Sequence, residues 1–378
     1  MENQWLQAAL WMGLALGATL LSLRIAISIA LLEIMVGVLG GSFLPLHRTE
    51  WVNFLAGFGS ILLTFLAGAE VDPVVLKKRF KESMTIGIFS FLAPFLGTMA
   101  YAYYVAGWGL AQAQIAGISL STTSVAVVYA VMIETGYNQT ELGKLILAAC
   151  FITDLGTVLA LGILFANYDW YMVLFIVVTA IVLFLLPRFT PWFFEKAGSR
   201  ISEPETKFIF FLLFGLGGLS LFAKSEAVLP AYLVGMVLAP FFLENKTLSH
   251  RMRVTAFTML TPFYFIKAGS LVKVSAIWSC AYLIAIFLLI KMVTKFIGVW
   301  PSTKFFGFAK KEDMYTTLLM STGLTFGTIS ALFGLTNKII NQEQYTILVT
   351  AVILSAVVPT IIAQKWFQPE LKKENKDV

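Results

Sequence analysis

Apolar residues run along this chain in blocks of eighteen or more, separated by short polar connections, from one end to the other. Each block is long enough to cross about 30 Å of hydrocarbon as a helix. The pattern predicts an all-α polytopic membrane protein with about thirteen transmembrane helices. They fall at 5–22, 25–41, 51–70, 83–105, 112–134, 141–166, 170–187, 206–223, 227–242, 255–270, 276–299, 313–335 and 344–367, numbered below as spans 1 to 13. The longest internal connection, 188–205, is too short for a folded domain.

Composition agrees. Of the 378 residues 58% are hydrophobic and 13% charged, and the mean hydropathy is +0.84. A soluble chain of this length cannot hide so much apolar surface in one core. The 33 Phe residues suit a lipid-facing surface. The net charge of +6 sits in the connections, where it reads as a topology signal and not as a nucleic-acid footprint. Lys77, Lys78, Arg79, Lys81, Arg188, Lys196, Lys304, Lys310 and Lys311 fall on loops of one side. Only Arg48, Lys224, Lys273 and Lys338 fall on the other. The positive-inside rule then predicts a multi-pass protein of the plasma membrane with its N-terminus outside and its C-terminus cytoplasmic.

Several function classes find no support. Cys150 and Cys280 lie in apolar segments, which argues against a disulfide framework, and they are too few for a metal site. His47 and His250 lie in loops. Trp5 to Ser22 lacks the basic start and small-residue cleavage site of a signal peptide, so it reads as the first span. No Gly-x-x-x-x-Gly-Lys-Ser/Thr pattern occurs, which disfavours ATP-driven transport. No nucleophile–base pair stands out, so the chain does not read as an enzyme, and no cofactor is expected.

The chain repeats itself weakly. Met35-Val36-Gly37-Val38-Leu39 in span 2 matches Leu233-Val234-Gly235-Met236-Val237-Leu238 in span 9. Ala67-Gly68-Ala69-Glu70-Val71 in span 3 matches Lys267-Ala268-Gly269-Ser270-Leu271-Val272 in span 10. Ser121-Thr122-Thr123-Ser124 in span 5 matches Ser321-Thr322-Gly323-Leu324-Thr325 in span 12. Each pair is seven spans apart, an odd number, so the matched segments face opposite sides of the bilayer. That is an inverted-topology repeat, as in secondary transporters. The whole of 1–378 is then one membrane transport domain. Repeat one covers about 1–166, a linker helix about 167–190, and repeat two about 206–367, with 368–378 a short cytoplasmic tail.

Few ionisable residues lie deep in these spans, and each is costly there. Asp154 sits midway along span 6, after Thr153. A carboxyl at that depth needs a proton, a bound cation or a basic partner, and burial and a nearby cation pull its protonation in opposite directions. It is therefore a candidate site for a metal ion (Na+ or K+) and a proton in competition, which yields exchange if only the loaded site changes the side it faces. A permanent pair with a Lys is the plainer alternative. In span 5, Ser121, Thr122, Thr123 and Ser124 are suited to an interrupted helix, where hydroxyls replace missing backbone partners. Thr322, Gly323 and Thr325 are the counterpart in span 12. Hydroxyls bonded back to the preceding turn of an intact helix would look the same in sequence. Lys291 and Lys295 share one face of span 11; one is expected to act on Asp154 and the other to snorkel to the interface. Glu33 and Glu70 are candidate ion-path residues, with a role at the helix end the equal alternative for Glu70, and the Gly215-Leu216-Gly217-Gly218 stretch is expected at a close helix contact.

These strings, in this order, resemble the monovalent cation:proton antiporter family in its NapA and Kef branches. The likeness runs from Leu32-Glu33-Ile34-Met35-Val36-Gly37 to Ser355-Ala356-Val357-Val358-Pro359. It takes in Leu66-Ala67-Gly68-Ala69-Glu70-Val71-Asp72-Pro73, Thr123-Ser124-Val125-Ala126 and Glu134-Thr135-Gly136. The resemblance implies a NapA/NhaA-like fold with two discontinuous crossed helices, a homodimer, and a mobile core domain. It implies that Asp154 binds cation and proton beside Thr153, Thr122, Thr123 and Ser124, with Lys295, favoured over Lys291, as charge partner. Thr153-Asp154 departs from the two acidic residues, or Asn-Asp, of many sodium/proton members. That leaves stoichiometry open, and sodium against potassium as well. The nucleotide-binding domain usual in the Kef branch is not seen. Sodium/proton antiport is the leading reading. Potassium/proton antiport, a passive cation channel and a transporter-like sensor are the alternatives.

Overall fold

The computed structural model describes residues 4–25, 28–69, 77–165, 170–197, 202–223, 227–272 and 274–370, and these are helical almost throughout. Ten helices among them are long and apolar enough to cross a bilayer, with shorter apolar helices at Ile29–Phe43 and Pro230–Glu244. Glu70, a candidate ion-path residue, and positions 371–378 of the predicted tail lie outside the described residues.

Spans 1 to 4 are helices at Gln4–Ile25, Ile29–Phe43, Glu50–Ala69 and Phe80–Tyr104. Span 5 is two half-helices, Leu110–Ser121 and Val125–Thr135. Span 12 is likewise two, Lys310–Met320 and Thr325–Thr336. Spans 6 and 11 are unbroken at Glu141–Phe165 and Ala281–Phe305. Spans 8, 9 and 13 lie at Pro204–Phe222, Val228–Glu244 and Gln342–Ile362, the last prolonged by a π turn. Span 10 is longer than its apolar pattern predicts. A polar helix, Lys246–Thr255, leads through a π turn at Ala256–Leu260 into Thr261–Ser270.

Span 7 corrects the sequence reading. The apolar pattern places the span at 170–187, yet the helix runs over Trp170–Ala197, past Pro187 and Pro191. The extra turns carry Phe189, Phe193 and Phe194, whose rings pack on Phe208 at 5.5, 5.0 and 6.5 Å, and that packing outweighs the lost backbone bonds.

Two bundles result. Span 2 packs on span 10, span 3 on spans 9 and 10, and span 1 on span 2. Span 4 packs on spans 5, 6 and 11, and spans 12 and 13 close the second bundle. Glycines set the first bundle. A Cβ on Gly37 would overlap the Ile266 carbonyl, and one on Gly269 the Ile34 carbonyl. A Cβ on Gly68 would overlap the Tyr232 carbonyl, and one on Gly235 the Phe65 carbonyl. Spans 2 and 10 thus touch backbone to backbone, and so do spans 3 and 9, as small residues permit in lipid. These are the four glycines of the first two pairs of repeat-matched strings. The same symmetry marks the entry to the broken spans. Gly107 and Gly307 both turn at positive φ, 71° and 74°. Two residues on, the N–H of Gly109 bonds to Gln112 and that of Ala309 to Glu312, at 2.9 and 3.2 Å.

The Gly215–Gly218 stretch does not behave as expected. Nothing lies within 4 Å of a Cβ at Gly215 or Gly218, and Gly217 meets only a methyl of Ile61 at 3.7 Å. These glycines lie on faces of span 8 that are open within this chain.

Candidate functional site

The interruptions of spans 5 and 12 meet in the second bundle. Thr123, in the break of span 5, donates its hydroxyl to the carbonyl of Met320, the last residue of the first half of span 12, at 2.8 Å. A Cβ on Gly327 would sit 2.7 Å from the Ser119 carbonyl and 2.9 Å from the Thr122 hydroxyl, so the second half of span 12 crosses close to the end of the first half of span 5. The broken ends leave backbone groups without helical partners, and nearby hydroxyls take part of that role. Ser124 caps the next half-helix by accepting from Val127 N at 3.3 Å. Ser121, Thr122 and Thr322 donate back to Ile118, Ser119 and Leu319 carbonyls at 2.9, 3.2 and 2.8 Å. The helices are interrupted, and the back-bonding alternative also holds locally for these three hydroxyls. Thr325 opens the next half-helix and shares a short hydrogen bond with Tyr264 of span 10.

Both lysines of span 11 are fully buried, at 0% exposure, so neither snorkels to an interface. The expectation fails because hydroxyls inside the bundle receive both ammonium groups. Lys295 donates to Ser90 of span 4 and Thr123 of span 5, both at 2.8 Å. Lys291 donates to Ser355 of span 13 at 2.8 Å, and a Cβ on Gly323 would collide with its ammonium. It is Lys291 that faces the break in span 12, and Lys295 that faces the break in span 5.

Asp154 is 3% exposed, in the middle of span 6. Its Oδ1 is buried with no hydrogen-bond partner. Among the described residues neither lysine makes an ion pair with it; their nitrogens are held on Ser90, Thr123 and Ser355. One turn before Asp154, the Cys150 thiol lies 3.6 Å from the Met320 sulfur, so this face of span 6 looks onto the break in span 12. Thr153 turns elsewhere. Its hydroxyl is shared between the carbonyls of Ala149 at 3.0 Å and Gly87 of span 4 at 3.3 Å, which clamps spans 4 and 6 together.

Sequence reading did not single out Ser90, Tyr232 or Tyr264. Ser90 is one hydroxyl in an otherwise ordinary apolar span. Tyr232 of span 9 stacks on Phe151 of span 6, with centroids 4.3 Å apart, and donates to the Leu147 carbonyl at 3.4 Å. Tyr232 and Tyr264 tie the first bundle to the second on either side of the crossing. Glu134, noted only as part of a string, also links the bundles, both its oxygens accepting from Ile29 N of span 2 at 3.0 Å. Glu33 lies apart from the crossing, 2% exposed, beside a cavity between spans 1, 2 and 10.

The model of the sodium/hydrogen exchanger transmembrane family matches residues 12–368. A probable Na+/H+ antiporter of Methanocaldococcus jannaschii is 24% identical over 364 residues, covering 93% of this chain and 92% of that protein. The Na+/H+ antiporter of Enterococcus hirae is 26% identical over 362 residues, covering 92% and 93%. Among solved structures, the sodium proton antiporter MjNhaP1 from Methanocaldococcus jannaschii at pH 8 superposes with a TM-score of 0.67 at 15% identity, over 96% of this chain and 98% of that one. That likeness shows that the two chains share one overall fold.

Proposed function

Because this chain belongs to the sodium/hydrogen exchanger family, we propose that it is a multi-pass membrane Na+/H+ antiporter in which Asp154 accepts sodium and protons in turn. The observation that carries the assignment of the residue is the free, buried Oδ1 of Asp154 beside the crossing of two interrupted helices. A carboxylate engaged in a permanent ion pair has no capacity to trade one cation for another; the Oδ1 of Asp154 is not so engaged. The family and its relatives favour sodium over the potassium alternative.

In this reading the second bundle carries the site and the first is the fixed frame. Sodium on Asp154 is completed by oxygens of the breaks, with Thr122, Thr123 and Ser124 the nearest in sequence. When sodium leaves, a proton takes its place, or Lys295 turns from Ser90 and Thr123 toward the carboxylate. Thr153 serves by fixing span 6 on span 4. Either loaded form is electrically compensated and can move past the frame, whereas a bare carboxylate cannot cheaply face the apolar interface. The protein works as a homodimer in the plasma membrane, with its basic loops and C-terminus cytoplasmic.

Exchange in proteoliposomes under an imposed pH gradient tests this. Asp154→Asn is expected to abolish sodium-dependent proton movement, and Na+, Li+ and K+ compared across several pH values report which ion is carried. Normal exchange by that variant overturns the assignment.

A further inference from the structure

Span 2 begins beside a cavity of about 330 Å³ that has no part in the crossing of the broken helices. Leu16 and Thr19 of span 1 form one wall, Ala30 and Glu33 of span 2 a second, and Phe257 and Thr258 of span 10 a third. The lining is apolar apart from a few threonine hydroxyls and one carboxyl, that of Glu33. Glu33 is 2% exposed and makes no hydrogen bond or ion pair among the described residues. Another acid, Glu134, acts on it electrostatically and is itself occupied in capping span 2 at Ile29. The third wall is the π turn Ala256–Leu260, the widened helical turn that recurs at functional sites.

A buried carboxyl of this kind stays protonated or meets a cation, because its bare charge is costly in an apolar setting. The cavity volume is at the small end of the range for organic ligands. One carboxyl and the hydroxyls of Thr19, Thr258 and Thr261 fall short of the shell of about six oxygens that a hard metal ion takes. Apolar walls around a single carboxylate suit an organic cation: a compact hydrocarbon body with one ammonium. We propose that the cavity between spans 1, 2 and 10 is a binding site for hydrophobic primary amines in their protonated form, with Glu33 as the counter-charge. Such amines concentrate in bilayers, and span 1 presents Leu16 and Leu20 on its open face, so entry from the lipid is direct. The site is separate from Asp154 and does not depend on its assignment.

The probe is 1-aminoadamantane, with the uncharged 1-adamantanol as its control, and binding to the purified protein is read by calorimetry without any flux measurement. The amine is expected to bind saturably at one site, and the alcohol at least tenfold more weakly. Glu33→Gln is expected to remove amine binding, and so is Thr258→Phe, which narrows the cavity and leaves the carboxyl in place. Both variants are checked for folding by thermal unfolding without ligand. Asp154→Asn is expected to bind the amine as the unaltered protein does. Equal binding of amine and alcohol, unchanged binding by a folded Glu33→Gln variant, or loss of binding in Asp154→Asn would each overturn the proposal. Because exchange is not the readout, failure here and failure of the antiport reading remain distinct outcomes.

Discussion

The Lys295 ammonium donates to the Thr123 hydroxyl at 2.8 Å, and that hydroxyl donates in turn to the Met320 carbonyl at 2.8 Å. One threonine therefore connects span 11 to both interrupted helices. Removing its oxygen leaves a buried ammonium and a helix-end carbonyl short of a partner, at about 1–3 kcal/mol for each orphaned group. Thr123→Val is expected to slow sodium-dependent exchange in proteoliposomes by at least about tenfold. Thr123→Ser keeps the oxygen and is expected to retain most of the rate. Equal losses in the two variants would show that the methyl group, and not the hydroxyl, matters.

Lys291 makes a separable case. It is buried at 0% exposure and held by a neutral hydroxyl, Ser355 Oγ, with no ion pair to a carboxylate among the described residues. A buried ammonium so placed costs stability, and an apolar side chain of similar length relieves the cost by about 1–4 kcal/mol. Lys291→Met is expected to raise the unfolding temperature in detergent while exchange falls. A lowered unfolding temperature would mean that the lysine supports the fold.

The glycine crossings predict a contrast within one residue type. Gly68→Ala and Gly269→Ala each drive a methyl group into a carbonyl of the facing helix, and are expected to destabilise by about 1–3 kcal/mol or more. Gly215→Ala, with nothing within 4 Å, is expected to be neutral or slightly stabilising. Thermal unfolding of the three variants side by side checks this.

Tyr137, in the turn between spans 5 and 6, gives a pH prediction outside the membrane segments. Burial first, then the charges of Glu312 and Glu370, push its phenol up to about 12 from an ordinary 10.0. A group raised in the folded state adds stability that is complete below pH 10 and is lost as pH rises toward 12. Tyr137→Phe is therefore expected to leave the pH profile of exchange unchanged near neutrality and to weaken the alkaline loss of stability between pH 10 and 12. A shifted profile near pH 7 would refute this.

Asp154 and the two interruptions were legible in the sequence because lipid penalises every unsatisfied polar group: a mid-span carboxyl and runs of hydroxyls stand out against apolar surroundings. The glycine strings were legible as a repeat, but the sequence carries no sign that Gly37 packs on span 10 and not on its repeat-mate, span 9, since that depends on how the helices cross. The destination of each lysine was misread for a related reason. Spacing along span 11 puts Lys291 and Lys295 on one face, yet a side chain of that reach is directed by whichever acceptors the neighbouring helices offer, here Ser355, Ser90 and Thr123. Tyr264 and Tyr232 escaped notice because a tyrosine in an apolar span usually marks an interface or simple packing. The end of span 7 was missed because the apolar run is broken at Arg188, whereas the aromatic packing that holds the extra turns is contributed by Phe208, a residue of the next span.

The two glycine crossings that set the first bundle each join a helix of the first repeat to one of the second: span 2 to span 10, and span 3 to span 9. Neither half of the polypeptide owns a complete frame. During synthesis, spans 2 and 3 enter the bilayer long before their partners exist and must wait, loosely associated, until the ribosome has delivered residues beyond 270. Biogenesis is therefore most exposed to degradation in that interval, and splitting the gene at the linker should yield two fragments that mature only when made together.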